Sequence, residues 1–475
     1  MKLNQFGKSK KEILKELKEL TKLDPDYKSG KLFSLVYYLD EDYSTLMNQA
    51  YQMYASTNGL NPSAFQSLKT IENRIIAMTS NLLNGNNDVC GVVTSGGTES
   101  CLLAVKTYRD FGQDIKGIFD PEMIIADTAH VAWFKAAEYF KVKLKVVKSL
   151  PEGGADVAAM KRKINRDTIM LVGSAPEYPH GIIDPIQELG EVAKKYDIPL
   201  HVDACVGGFL LPFIERLGVP IPPFDFRVQG VTSISADIHK YGFAGKGAST
   251  ILYRSQKHFE YQVFTYADWP GGIFASPALL GTRPGGSYAS AYAALLNHGE
   301  KGYVKLTEKA LKATYKLKKG ITELGLSIIG NPMTTLFAYR STDPNLDIFV
   351  VADLMQAKGW FIDRIQKPDA LHAMVTPNHL NVANQYLKDL KDSINKAKAN
   401  PDLSRTGQAA TYGMMAHLPF RKIVKKEITK MFASTYRVSG ELLDLENGQS
   451  PTEHLPAFLS RIVKWLVRRN RQKEL

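Results

Sequence analysis

Between residues 91 and 234, short apolar runs of strand length alternate with longer stretches whose apolar residues recur at helical spacing. The pattern predicts strands at 91–93, 123–126, 143–147, 168–172, 199–202 and 231–234. It predicts helices between them at 99–111, 133–140, 155–164 and 185–196. Strands regularly separated by helices imply an α/β fold with a mostly parallel sheet covered on both faces. In such sheets ligands sit beyond the carboxyl ends of the strands, so residues that directly follow a strand carry the most weight.

The flanks read differently. Ile13, Leu14, Leu17 and Leu20 predict an amphipathic helix over 10–23 that leads into the first lobe. An aromatic-rich stretch follows over 31–60, and Asn58-Gly-Leu-Asn-Pro62 is a turn by composition. Leu68, Ile71, Ile75, Ile76, Leu82 and Leu83 predict a helix over 67–83. Past residue 299 the pattern is helical to 324, with short strands expected at 335–339 and 372–375. A loop is expected over 401–413, and a helix of mixed face after Pro419.

A chain of 475 residues is too long for one small core, so two or three lobes are expected. With 44% hydrophobic and 23% charged residues, it has the composition of a globular enzyme, and no run approaches the ~18 apolar residues of a membrane span. The start lacks the apolar core of a secretory signal. Cys90, Cys101 and Cys205 have no metal spacing, and their odd number argues against a disulfide framework, which implies a reducing, cytoplasmic setting. The net charge of +12 gathers at the two ends. The tail Arg461-Ile-Val-Lys-Trp-Leu-Val-Arg-Arg-Asn-Arg471 is basic with an apolar stripe, suited either to an anionic membrane surface or to docking on its own domain. Nucleic-acid binding is disfavoured, because no recognition motif accompanies the charge.

Four polar pieces follow predicted strands. Thr94-Ser-Gly-Gly-Thr-Glu-Ser100 has adjacent glycines, Gly96 and Gly97, at a helix amino end, where backbone N–H groups can approach a phosphate and Thr98 adds a hydroxyl. Asp203 ends a buried strand, where a carboxylate needs a partner such as a protonated pyridine nitrogen, a backbone amide or a basic side chain. His130 can stack on a flat ring or shuttle a proton. Last, Ser233-Ile-Ser-Ala-Asp-Ile-His-Lys-Tyr-Gly-Phe-Ala-Gly-Lys-Gly247 places His239 and Lys240 at the end of a strand, with Lys246 between glycines. A lysine in that position suits a Schiff base with an aldehyde cofactor.

In this order the pieces resemble the pyridoxal-phosphate enzymes of the aspartate-aminotransferase type (fold type I). Within its group II decarboxylase branch the chain is similar to the sphingosine-1-phosphate lyases. The likeness is carried by Gly91 to Ser100, Tyr178-Pro-His-Gly-Ile-Ile-Asp-Pro185, His201 to Phe209, Pro223 to Gly242, Asp268-Trp-Pro-Gly-Gly-Ile-Phe274 and Arg283-Pro-Gly-Gly286. It implies an N-terminal helical segment over 1–88, a cofactor-binding large domain over 89–300 and a smaller C-terminal α/β domain over 301–475. It also implies a homodimer with active sites at the subunit interface, and retro-aldol cleavage of a phosphorylated long-chain base to a fatty aldehyde and phosphoethanolamine.

The resemblance assigns roles residue by residue. Lys240 holds the cofactor, Asp203 faces its ring nitrogen and His130 stacks on the ring. Gly97, Thr98 and His239 contact its phosphate, and Thr282 reaches in from the partner subunit. Tyr37, Asn58, Asn61 and Lys246 serve the substrate, with Tyr37 and Lys246 near the proton transfers. Departures fall at the substrate end: Asn61 replaces a family histidine and Phe274 a common tyrosine. The membrane span of the eukaryotic enzymes is expected to be absent, as in soluble bacterial forms, which leaves the basic tail to meet a membrane peripherally. Two alternatives are an amino-acid decarboxylase on the same fold and a catalytically decayed lipid- or protein-binding relative.

Overall fold

The computed structural model describes residues 3, 5–405, 407–409, 412–413 and 421–438. The basic tail from 461 onward lies outside them. Three helices come first: α1 (Lys10–Leu20), α2 (Glu41–Met53) and α3 (Gln66–Leu82). Helix α1 starts with a reciprocal capping box between Ser9 and Glu12, yet it buries no residue. Its apolar stripe, Ile13, Leu14, Leu17 and Leu20, remains about half exposed.

The predicted alternation follows: β1 (Cys90–Thr94), α4 (Gly97–Lys116), β2 (Glu122–Ala126), α5 (Ala132–Phe140), β3 (Lys143–Val147), α6 (Val157–Lys163), β4 (Thr168–Ser174), α7 (Ile186–Tyr196), β5 (Leu200–Asp203), α8 (Leu211–Arg216), β6 (Val231–Ala236) and β7 (Ser249–Tyr253). These strands form one seven-stranded sheet in the order β1-β7-β6-β5-β4-β2-β3. Strand β7 runs antiparallel to both neighbours, and the remaining pairs are parallel. Every residue of β2, β4 and β5 is buried, as expected of strands covered on both faces. The edge strand β3 instead exposes or half-exposes its lysines.

Sequence pattern missed β7 and α8. Strand β7 follows β6 through a glycine-rich loop without an intervening helix, so the strand–helix alternation leaves no place for it. A short helix α9 (Gln256–Phe259) and an exposed hairpin of β8 (Phe264–Tyr266) and β9 (Phe274–Ser276) come next.

Helix α10 (Gly285–Glu323) is one long element interrupted at Gly299, whose backbone turns to φ 52°. A second, antiparallel sheet, in the order β10-β11-β13-β12, contains β10 (Ser327–Ile328), β11 (Leu336–Arg340), β12 (Asp363–Ile365) and β13 (Ala370–Met374). Helices α11 (Ile348–Gln356) and α12 (His379–Ala399) pack with it, and α13 (Arg421–Thr435) is the helix expected after Pro419. The expected loop at 401–413 opens instead with a 3₁₀ turn, Pro401–Arg405. Phe33, from the N-terminal segment, is buried in the core of this second sheet against Trp360, His379 and Tyr386. No helix among the described residues is long and apolar enough to cross a membrane.

Candidate active site

The carboxyl ends of β1, β2, β5 and β6 converge on a cavity of about 490 Å³. Its lining includes Gly97, Thr98, His130, Asp203, His239, Lys240 and Lys246, seven of the eleven residues singled out from sequence. Four separate strand-to-helix or strand-to-loop turns supply them, so the sheet itself sets their spacing.

Lys240 is held by a residue that sequence reading passed over. Asp237, 2% exposed, places Oδ2 2.9 Å from the Lys240 amine and 3.8 Å from His239 Nε2. Its other oxygen, Oδ1, is buried without a hydrogen-bond partner. Burial works against the Asp237 charge, but Lys240 and His239 outweigh it and hold the carboxyl below its usual range. Burial also works against the charge on Lys240, and Asp237 again prevails, so the amine sits above the ordinary lysine value. Asp237 stood inside the quoted motif; only the fold reveals that it points back at the amine three residues on.

Asp203 is buried and engaged: the Trp133 Nε1–H donates to Oδ2 (3.0 Å) and the Cys205 N–H to Oδ1 (3.1 Å). His130 opens onto the cavity, and its Nδ1 accepts from the Ala132 N–H (3.1 Å), which leaves Nε2 as the protonated nitrogen of the neutral ring. Burial, opposed by Asp203, lowers its pKa and favours that neutral form. Cys101 and Cys205, remote in sequence, lie with Asp203 so that their ligand atoms fall within 4.8 Å of one another. Burial pushes the Cys101 thiol up to about 11, so it is neutral at physiological pH.

The cradle forms at the amino end of α4. No side chain caps that end, so its first amides face the cavity with the positive end of a 20-residue helix behind them. A Cβ at Gly97 would lie 2.6 Å from Cys205 Sγ and 2.9 Å from both Asp237 oxygens, which only glycine avoids. Glu99 braces the loop: Oε2 accepts from the Ser95 N–H (2.7 Å) and Oε1 from the Leu279 N–H (3.0 Å). His239 is fixed by donating Nδ1–H to the Ala248 carbonyl (2.7 Å), with Nε2 left toward the cavity.

Lys246 stands over the ring of Tyr37, 5.0 Å from its centroid. Partial burial and, after it, the neighbouring Lys240 charge bring its pKa down to about 8. Tyr37 itself meets the site through its ring. Its hydroxyl turns to Met374 Sδ and its edge packs on Tyr241. Tyr178 lines the cavity and links it to the second sheet by donating to Asp363 Oδ2 (2.8 Å).

Asn58, Asn61 and Thr282 are not brought to this cavity within one chain. Asn58 binds Thr282 (Nδ2 to Oγ1, 3.3 Å) and accepts from the Leu60 N–H (2.9 Å) and the Arg283 N–H (3.2 Å). Asn61 Oδ1 accepts from the Ser63 and Ala64 N–H groups (3.0 and 3.1 Å), a turn-closing role that asparagine performs well. Thr282 is exposed.

The donors present fit pyridoxal phosphate. An uncapped helix end suits its phosphate, a buried carboxylate suits a pyridinium nitrogen, and a lysine amine opens onto the same cavity. Residues 21–269 match the family model described as the pyridoxal-dependent decarboxylase conserved domain. The chain is 46% identical over 424 residues to a sphingosine-1-phosphate lyase of Oryza sativa subsp. japonica, covering 87% of this chain and 78% of that one. It is 45% identical over 430 residues to sphingosine-1-phosphate lyase 1 of Rattus norvegicus, covering 90% and 75%. The solved sphingosine-1-phosphate lyase of Burkholderia pseudomallei superposes with a TM-score of 0.83 at 33% identity, covering 91% of this chain and 97% of that one.

Proposed function

The chain belongs to the pyridoxal-dependent decarboxylase family and, within it, to the sphingosine-1-phosphate lyases, and on that premise we propose how its own residues share the reaction. The protein is a pyridoxal-phosphate-dependent carbon–carbon lyase. It cleaves the C2–C3 bond of sphingosine 1-phosphate to a long-chain aldehyde and phosphoethanolamine. Bound pyridoxal phosphate supplies the electron sink for the bond that breaks.

Lys240 would anchor the cofactor through its amine. Asp237 is a positioning residue: its carboxylate aims the lysine and favours the protonated nitrogen (2.9 Å). Asp203 would meet the ring nitrogen, and its negative charge would keep that nitrogen protonated. His130, neutral and open to the cavity, would cover one face of the cofactor ring. Gly97, Thr98 and His239 hold the cofactor phosphate at the amino end of α4.

Lys246 binds the substrate phosphate as a cation, and Tyr37 holds its amine by the ring face. Asn58 and Asn61 belong to the substrate approach. The observation that carries the reading is the meeting of Lys240, Asp237, Asp203 and the uncapped end of α4 in one cavity.

A homodimer completes the site, with Thr282 of one copy reaching the cofactor phosphate of the other. The exposed position of Thr282, the exposed stripe of α1 and the apolar hairpin residues Phe264, Trp269 and Ile273 support this reading. The large domain spans 89–300 and the small one 301–475, meeting near the break at Gly299. The three cysteines, all unpaired, suit a reducing cytoplasm, and the basic tail offers a peripheral membrane contact.

Product analysis by mass spectrometry tests the assignment. Cofactor-loaded protein offered sphingosine 1-phosphate is expected to release long-chain aldehyde and phosphoethanolamine. Carbon dioxide and an amine from an amino-acid panel, with no aldehyde from the phosphorylated base, would replace the lyase by a decarboxylase.

A further inference from the structure

A second cavity, of about 260 Å³, lies between the 59–65 turn, α3 and the start of α10. Its walls are largely apolar, including Phe65, Leu68 and Pro277. Arg283 lies in this lining at 7% exposure. One guanidinium nitrogen, Nη2, donates to the Gly59 carbonyl, while Nε and Nη1 are buried without any hydrogen-bond partner. A guanidinium is charged at every physiological pH, and leaving its donors unpaired in a low-dielectric site is costly.

The other charges nearby are already engaged. Lys69 pairs with Glu72 (2.9 Å), whose second oxygen accepts from the Val93 N–H (3.2 Å). Both oxygens of Glu99 are held by backbone amides. The Tyr288 hydroxyl donates to the Val93 carbonyl (3.3 Å) and lies beside the Arg283 guanidinium, which acts on it by charge and hydrogen bonding. Among the described residues, the nearby carboxylates Glu72 and Glu99 are thus spent on other donors, and Arg283 keeps Nε and Nη1 without a hydrogen-bond partner. Asn61, on the same lining, spends its Oδ1 on two backbone amides and keeps its Nδ2 hydrogens for another acceptor.

From this juxtaposition we infer that the second cavity is a binding site for a small oxyanion, a carboxylate or a phosphate, held by the free edge of Arg283 and assisted by Asn61. The planar fork of arginine matches two oxygens of one such group, and the apolar walls strengthen the attraction by excluding water. The anion would brace a seam of chain on which other features depend. The Gly59 N–H donates to the Arg283 carbonyl (2.9 Å), and Asn58 bridges to Pro284 beside Thr282. Any link to turnover rests on the role proposed for Thr282, whereas binding does not.

The test uses cofactor-loaded protein carrying Lys246→Ala, which removes the cation proposed for the substrate phosphate. Inorganic phosphate and formate are titrated separately by calorimetry and by thermal unfolding. One or both are expected to bind saturably, and which one binds identifies the source of the oxyanion. Adding Arg283→Gln is expected to raise the half-saturating concentration about tenfold or more, with Arg283→Lys in between. Unchanged binding in the double variant, or no binding before it, would overturn the inference. Should the Arg283 variants fail to fold, crystals of the wild-type loaded protein grown with phosphate or formate decide the matter. Anion density against Nε and Nη1 is expected; a carboxylate side chain from a second copy, or water alone, would overturn it.

Discussion

The Lys240 cavity and the Asn58–Thr282 seam differ in how their polar atoms are satisfied. Around Lys240, both buried carboxylates find partners inside one chain: Asp237 has the amine, and Asp203 has Trp133 and the Cys205 amide. Along the seam, Asn58 is tied to Thr282 and Arg283, Asn61 to its own turn, and Thr282 is exposed. The first region is built on the ends of buried parallel strands, whose positions the sheet dictates. The second is irregular backbone held by side-chain-to-backbone bonds, and it stands apart from the cavity of its own chain. The cavity thus owes its spacing to the sheet, and the seam owes its shape to its own turns.

The largest expected effect sets the two regions against each other. Chains carrying Lys240→Ala or Thr282→Glu should each be nearly inactive as homodimers. The mixture re-formed from equal amounts should recover about one quarter of the wild-type rate, because about half of its dimers are mixed and each of those contains one of two sites with both residues intact. No recovery, in a mixture whose heterodimers are confirmed by mass spectrometry, would return Thr282 to its own chain's site.

Next comes Asp237→Asn. It should lower kcat by about 100-fold and move the pH titration of the visible cofactor band to lower pH, because the charge that favours the protonated nitrogen is gone. A purely structural role would reduce the yield of folded protein and leave that titration in place.

Smallest is the pH profile of Lys246. A cation with a pKa of about 8 in the free protein loses its charge above that pH, so kcat/KM for the phosphorylated base should fall on the alkaline side of about 8. Lys246→Arg should carry that limb upward, because arginine stays charged. A limb at the same pH in both proteins would assign it to another group.

Much of the first region was legible in the sequence. Thr94, Ala126, Asp203 and Ala236 each end a strand whose apolar run is plain in the chain, so the polar residues after them point to one edge of one sheet. Asp237 was not legible in its role, because a carboxylate three residues from a lysine reads equally as a solvated neighbour until the turn is known. Strand β7 was hidden by its direct return from β6. The burial of Arg283 depends on Gly59, more than two hundred residues away, whose Cβ would crowd the arginine at 3.3 Å. Periodicity carries no information about such a contact.

Helix α10 contributes Tyr288, Ala291, Ala294 and Tyr303 to the core under the large sheet, and Ala313, Leu317 and Ile321 to the core under the small one. A single covalent rod thus anchors two hydrophobic cores, and its break at Gly299 falls within the stretch that serves the first, since Tyr303 lies beyond it. Melting either core strips that rod of part of its burial and loosens its hold on the other. The two halves of this chain are therefore thermodynamically coupled along their length, and heat should unfold them in one cooperative transition.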